Sequence, residues 1–141
     1  MTASRSALFL DLAGELLGRG HRVRFRAEGG SMHPAIRSGE TLIVEPVSPA
    51  DLERGDIALH HSRRGITAHR VVEIRDEGGR KPLFVTRGDN VGSADEPVEP
   101  RQILGKVVAV ERKSLGARLL HRARLGAGRL MARMDPMGEQ S

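Results

Sequence analysis

The chain has 141 residues, which is enough for one domain with a core and too few for two domains of ordinary size. It contains no cysteine, which excludes disulfides, thiol catalysis and thiolate metal sites, and only 2% of its residues are aromatic, too few for a base-stacking surface. The net charge of +5 lies in residues 112–141, with 7 basic and 2 acidic side chains, whereas residues 1–111 carry 16 of each, so a nucleic-acid partner is not expected for the domain itself.

An amphipathic helix is predicted for residues 6–18, within an N-terminal segment of residues 1–20. Its apolar residues recur at helical spacing, and Gly18 and Gly20 end it. Asp11 and Glu15 interrupt the apolar run, and no other stretch approaches the roughly 18 to 20 apolar residues of a membrane-spanning helix. The segment also lacks the basic start and the cleavage site of a secretory signal. We therefore expect a protein of the cytoplasm or of the membrane periphery.

Residues 21–111 are predicted to form a mainly β domain. Residues 21–27 alternate apolar and basic side chains, as a half-buried strand does, and lead into the Gly29-Gly30 bend. Turn clusters rich in Gly, Asp and Pro separate the later apolar runs. These runs are "TLIVEPV", "DIALHH", "ITAHRVVEI", "LFVTRG" and "ILGKVVAVE".

From about Glu111 the pattern returns to helical spacing, and residues 112–141 are predicted to form a basic amphipathic helix. Gly116, Gly126 and Gly128 weaken such a helix. Three interpretations stay open: a helix packed on the domain with a solvated basic face, a helix attracted to an anionic membrane surface, and an arm that contacts nucleic acid.

Ser31 stands in "EGGSMHPAIRSGE", where two glycines precede it. A serine becomes an effective nucleophile only with a base in hydrogen-bond reach, and near neutral pH histidine suits that role. In "ITAHRVVEI" strand alternation places His69 on the face of Thr67 and Val71. His33 is too close to Ser31 in sequence to reach it easily, and His60 and His61, near a turn, are expected to be solvated.

Asp89 and Asp95 in "TRGDNVGSADEP" could orient a histidine. The ordinary alternative is a loop in which Asp, Asn and Gly make local turn hydrogen bonds.

Five blocks in the same order resemble the peptidases that include signal peptidase I and the LexA-type autocleaving repressors: "GGSMHP", "RGDIAL", "TAHRVV", "TRGDNVGSAD" and "LGKVVAV". The resemblance covers about residues 25–111. It is closest to the branch that pairs serine with histidine, as in archaeal and endoplasmic-reticulum signal peptidases. It implies a β-sandwich or open barrel of that type and serine endopeptidase activity on a leader or signal-like peptide, with no cofactor and no metal.

The resemblance also implies roles for individual residues. Ser31 matches the nucleophile and His69 the general base, while Asp89 and Asp95 match two aspartates six residues apart. Asp95 is the expected orienter of His69, and Asp89 would shape the loop or serve in its place. The backbone N–H of Ser31 should meet the oxyanion. The residues expected to contact the substrate are Gly29, Gly30, Met32 and Pro34.

Other functions are compatible with parts of the sequence. Many members of the family have a serine where this chain has Gly29, which favours a catalytically weak relative that binds extended peptides. An autocleaving regulator would use Ala13-Gly14 as its cleavage dipeptide and normally a lysine base, whereas Lys81 lies in a turn. His60, His61 and His69 could hold a metal, although their spacing fits no recurrent hydrolase motif.

Overall fold

The computed structural model describes residues 7–76, 78–113 and 118–121. The helix α1 (Ala7–Gly18) precedes the strands, and two short 3-10 helices, Pro49–Asp51 and Pro100–Gln102, interrupt their order. The strands are β1 (Val23–Arg26), β2 (Thr41–Glu45), β3 (Ile57–Ser62), β4 (Gly65–Arg75), β5 (Leu83–Arg87), β6 (Ile103–Lys113) and β7 (Arg118–His121).

All described strands belong to one antiparallel sheet, in the order β1-β2-β6-β3-β4-β5, and β7 pairs with β6 beyond this path. The predicted mainly β fold with an N-terminal helix is confirmed. β6 is inserted between β2 and β3, so a strand from the end of the domain joins the two earlier hairpins. The register shifts leave one extra residue each, Val108 and Leu104 on β6 and Val72 on β4, and such bulges bend strands and increase their twist.

Two apolar clusters cover opposite faces of the central strands. Alternation along β3 and β4 directs Leu59 and Ala68 into the larger cluster, and Ala58 and Val71 into the smaller one. The larger cluster also contains Ala13 and Leu17 of α1. Polar side chains on the same face of β3 and β4 as the smaller cluster therefore lie beside an apolar core. This face carries the candidate site.

α1 packs one side against the sheet and leaves Leu12 51% exposed. Its 12 residues match the predicted amphipathic segment to within one residue at the start. Among the described residues, no helix has the length and apolar character needed to cross a bilayer.

The helix predicted beyond Glu111 is wrong for the part of that segment that the structure describes. Arg112 and Lys113 continue β6, and Arg118–His121 forms β7, which pairs antiparallel with Val110–Lys113. β6 extends past its pairing with β3 and offers unpaired backbone groups there, so a returning strand satisfies hydrogen bonds that a helix would leave open. Residues 114–117 and 122–141 lie outside the described part.

Candidate active site

Three neighbouring strands bring polar side chains to one face of the sheet. His60 on β3 lies opposite Thr67 on β4, and His69 follows two residues later on the same face. On β5, Thr86 lies opposite Val71, which again shares that face. Because antiparallel partners point the same way, the pairing register alone gathers His60, Thr67, His69 and Thr86 at one end of the smaller apolar cluster.

Ser31 reaches this face from the turns between β1 and β2. The loop after β5 holds it there: the N–H of Asn90 donates to the carbonyl oxygen of Ser31 at 2.8 Å, and the Asn90 side-chain amide donates to the carbonyl oxygen of Gly30 at 3.2 Å. The next residue, Met32, is completely buried in the larger cluster. The loop that carries Ser31 is thus anchored on one side by core packing and on the other by polar contacts.

Ser31, His69 and Asp95 form a continuous chain of hydrogen bonds. The Oγ of Ser31 lies 3.0 Å from Nε2 of His69, and Nδ1 of His69 lies 2.6 Å from Oδ2 of Asp95. Since an ionised carboxylate only accepts, Nδ1 carries the proton and Nε2 offers its lone pair to the serine hydroxyl. This is the tautomer that a general base for Ser31 requires.

Burial and hydrogen bonding tune both titratable members of this chain. Burial lowers the pKa of His69 below its ordinary value of 6.5, although the hydrogen bond to Asp95 partly opposes that effect. For Asp95 burial disfavours the ionised form, but hydrogen bonds from His69 and Thr86 outweigh it and lower the pKa of the carboxyl. Near neutral pH the imidazole is therefore uncharged and the carboxylate ionised, as base and orienter require.

Asp89 occupies a different position from Asp95. Its two carboxylate oxygens accept from Nε and the terminal nitrogen of Arg70 at 2.9 and 2.8 Å, and Arg70 also donates to the carbonyl oxygen of Gly55. Asp89 thus fastens the start of the loop to β4, and it is Asp95 that contacts His69. Of the two roles predicted for Asp89, shaping the loop is the one that these contacts fit.

The residues expected to contact substrate occupy different environments. Met32 is 0% exposed, and its sulfur accepts from the N–H of Asp89, so its side chain belongs to the core and its contact with substrate stays a prediction. An unbranched apolar side chain next to Ser31 fills the core here. Gly29, Gly30 and Pro34 are exposed but do not line the cleft described below, and their contact with substrate stays a prediction.

Gly29 has a backbone conformation that few other residues adopt. Its φ of 95° lies in the left-handed region, and a Cβ there would meet nothing within 4 Å. The position is thus restricted by backbone angle rather than by space, and a serine side chain would be strained in this loop.

The chain of hydrogen bonds opens into a cleft of about 730 Å³. Ser31, His69 and Asp95 form its floor, the β3–β4 hairpin forms one wall, and the loop from Val91 to Val98 forms the other. An exposed ion pair between Arg63 and Glu96, 3.2 Å apart, joins the two walls. The cleft has the size of a ligand site and lies open at the surface, as an extended peptide requires.

The histidines that lie outside the hydrogen-bond chain differ in exposure. His33 and His61 are exposed, as expected, but the prediction that His60 is solvated is wrong, since it is only 2% exposed. His60 lies inside β3, which continues to Ser62, and it faces inward. In the described ranges no three His, Asp or Glu side chains are arranged to hold a metal ion.

Three further contributors to the site lie in the block "TRGDNVGSAD", although no role is predicted for them from the sequence. Thr86 donates to Oδ2 of Asp95 at 2.7 Å, Asn90 latches the nucleophile loop, and Gly88 allows close approach to Ser31. A threonine in a strand and an Asn-Gly-rich loop are common features of sheet proteins. Only the position of Thr86 two residues after a buried phenylalanine places it on the site's face.

Gly88 supplies a direct test of how precisely Ser31 must be held. A Cβ at this residue would lie 2.6 Å from the carbonyl oxygen of Ser31 and 3.0 Å from its Cβ. We expect Gly88→Ala to displace the serine, with a loss of activity on the order of 100-fold and of about 1 to 3 kcal/mol in the free energy of unfolding. Peptide cleavage rates and urea titrations measure the two effects.

The matched control for this substitution is Gly92→Ala in the same loop, where a Cβ meets nothing within 4 Å. Its activity and stability should remain close to those of the wild type. Equal activity of the two variants would contradict the tight packing between Gly88 and Ser31.

Comparisons with protein-family models, with curated proteins and with solved structures found no significant match. The functional interpretation accordingly depends on the geometry above and on the sequence blocks that carry the site.

Proposed function

We propose that the chain is a serine endopeptidase that resembles signal peptidase I of the serine–histidine branch and cleaves leader or signal-like peptides. The observation that carries this proposal is the chain of hydrogen bonds from Ser31 through His69 to Asp95, with distances of 3.0 and 2.6 Å, on the floor of an open cleft. Nucleophile, base and orienter come from three separate segments, a convergence that the packing of an ordinary sheet does not require.

The reaction that fits these groups is acyl transfer to serine. His69 takes the proton of Ser31 as its Oγ attacks the peptide carbonyl carbon, and Asp95 stabilises the imidazolium that forms. The imidazolium then protonates the departing amine as the peptide C–N bond breaks. Water, deprotonated by His69, attacks the acyl-enzyme and releases the carboxylate product with the serine hydroxyl restored.

The backbone N–H of Ser31 is the proposed oxyanion donor. Gly29 leaves the approach to this group unobstructed, since no side chain precedes the nucleophile loop at positions 29 and 30. Because Gly29 adopts a conformation unsuited to serine, a hydroxyl donor at that position is not part of the proposed mechanism. Loss of one oxyanion donor lowers rates on the order of 100- to 1,000-fold, so turnover slower than in relatives with both donors is expected.

Two alternatives predict different behaviour. A catalytically weak peptide-binding protein is favoured by Gly29, and it would bind leader peptides without cleaving them. An autocleaving regulator is disfavoured because the Ala13-Gly14 dipeptide lies inside α1, where Ala13 is 2% exposed, whereas proteases need an extended segment. Attraction of residues 112–141 to anionic membranes stays a prediction, because most of that segment lies outside the described residues.

A panel of leader-type peptides tests the proposal. We expect the wild type to cleave at least one peptide and to form a serine-bound adduct at Ser31 with a phosphonate that mimics its acyl residue. Ser93→Ala is the matched control, since this exposed serine lines the same cleft. Binding without cleavage, or cleavage that persists in Ser31→Ala, would contradict the proposal.

The pH dependence of cleavage follows from the burial of His69. The base must be neutral to accept the serine proton, and its pKa lies below 6.5 because burial disfavours the cation. Activity is therefore retained as pH falls through 6.5 and is lost only at lower pH, when His69 becomes protonated. The measurement is kcat/KM against pH, with circular dichroism over the same range to exclude unfolding; an acid limb centred above 6.5 contradicts this assignment.

A further inference from the structure

A second layer of buried polar groups lies behind Asp95. Thr86 is 0% exposed and His60 2% exposed, and neither touches the nucleophile in the described contacts. The hydroxyl of Thr86 lies 2.7 Å from Oδ2 of Asp95 and 3.4 Å from Nε2 of His60. A buried histidine costs stability unless its ring nitrogens have hydrogen-bond partners. The partners of His60 therefore indicate its role.

The protons of this layer can be assigned from donor and acceptor chemistry. Nδ1 of His60 lies 3.0 Å from the carbonyl oxygen of His61, which only accepts, so Nδ1 carries a proton. Thr86 has one hydroxyl proton, and its shorter contact is with the carboxylate of Asp95. In neutral His60 the Nε2 lone pair therefore faces the Thr86 oxygen, whose proton points toward Asp95. The absence of a proton between them accounts for the long 3.4 Å distance from Nε2 to that oxygen.

A second proton on His60 would occupy this gap. Nε2–H would donate to Thr86, and Thr86 would donate to Asp95, which gives a continuous chain from His60 to His69. The charged or titratable groups facing His60 are His61 on its own strand, His69 on β4 and Asp95 in the loop after β5. Burial lowers the pKa of His60, so this second proton is taken up only in acid.

We propose that His60, once it carries its second proton, acts through the Thr86 hydroxyl as a positioning residue for Asp95, and that this proton opposes protonation of His69. The proposal rests on the proposed function, because it assigns Asp95 as the orienter of a catalytic histidine. A positive His60 strengthens the Thr86–Asp95 hydrogen bond and draws charge from Asp95, which then supports the His69 cation less well. Protonation of His60 and protonation of His69 thereby oppose each other.

Nitrogen NMR of histidine-labelled protein tests the proton assignments without any substrate. We expect both His60 and His69 to be in the Nδ1–H form at neutral pH, with the exposed His21 and His33 as references for solvent-accessible rings. An Nε2–H form of His60 would overturn the proposal. An Nε2–H form of His69 would instead contradict the proposed function, so the two failures are distinguishable.

Three variants test the connection through Thr86. Thr86→Val removes the hydroxyl with little change of shape, and we expect a loss in kcat/KM of roughly 10- to 100-fold, while Thr86→Ser remains near the wild type. His60→Gln should move the titration of His69 to higher pH. In the Thr86→Val background, His60→Gln should move the titration of His69 by a smaller amount. This is the result that a double-mutant cycle gives when the Thr86 hydroxyl transmits the influence of His60.

Other outcomes would overturn the inference. If His60 served only packing, His60→Gln would lower activity by the same factor at every pH and leave the His69 titration unchanged. If His60→Gln does not fold, the titration of His60 itself decides: without the acceptor oxygen it should move to lower pH in Thr86→Val but not in Thr86→Ser. An unchanged His60 titration in Thr86→Val excludes the connection.

Discussion

Replacing Ser31 or His69 by alanine is expected to lower kcat/KM for a cleaved leader peptide on the order of a million-fold, and the double variant should be no worse than either single one. In the proposed mechanism Ser31 and His69 act as one unit through their 3.0 Å contact, so removing either leaves nothing for the other to contribute. Steady-state rates at high enzyme concentration, with product identified by mass spectrometry, measure this effect.

The control for the base is His61→Ala, an exposed histidine that lines the same cleft. It should retain nearly full activity. If the losses in Ser31→Ala and His69→Ala instead multiplied in the double variant, the two side chains would be acting independently and the dyad would be contradicted.

Asp95→Asn is expected to lower kcat/KM on the order of 10,000-fold while the protein remains folded. The amide nearly matches the carboxylate in shape, but it carries no charge to stabilise the His69 imidazolium, and wherever its NH₂ group faces Nδ1 it favours the opposite tautomer of His69. Cleavage rates and the NMR signal of the Nδ1–H proton, which should weaken, measure the two consequences together.

Asp89→Asn provides the matched comparison, because both aspartates belong to the same loop and only Asp95 contacts the imidazole. Its ion pair with Arg70 is partly exposed, and such pairs contribute on the order of 1 kcal/mol, so we expect a loss within about tenfold. A larger loss in Asp89→Asn than in Asp95→Asn would reverse the assignment of the orienter.

The strands could be predicted from the sequence because buried apolar runs alternate with exposed turn residues along the chain. Apolar runs bounded by Gly, Pro and Asp turns predicted β2 to β6 to within a few residues, and alternation predicted that His69 shares a face with Thr67 and Val71. The order of the strands could not be predicted, since the insertion of β6 between β2 and β3 depends on long-range pairing. The helical spacing of Leu115, Leu119 and Leu120 was misleading for the same reason, because residues 118–121 form a strand through long-range pairing with β6.

The candidate site was less accessible to sequence reasoning than the strands. Ser31, His69, Asp89 and Asp95 were identified through the resemblance, not through local pattern. The direction of a side chain beside a turn depends on tertiary packing, which turned Met32 into the core and kept His60 inside β3. No role was predicted for Thr86, although it begins the block "TRGDNVGSAD", because a strand threonine becomes part of a site only when a carboxylate from another segment meets it.

The loop that follows β5 returns to the strand at Asp95, whose N–H donates to the carbonyl oxygen of Thr86 at 2.8 Å. Between these ends, Asn90 fastens the turn that carries Ser31. The positions of both Ser31 and Asp95 thus depend on this one loop. Surface loops open at a smaller free energy than the strands of a central sheet. Mild denaturant would accordingly switch off turnover while amide exchange in the middle strands stays slow, so that inactivation and unfolding are separate events in this protein.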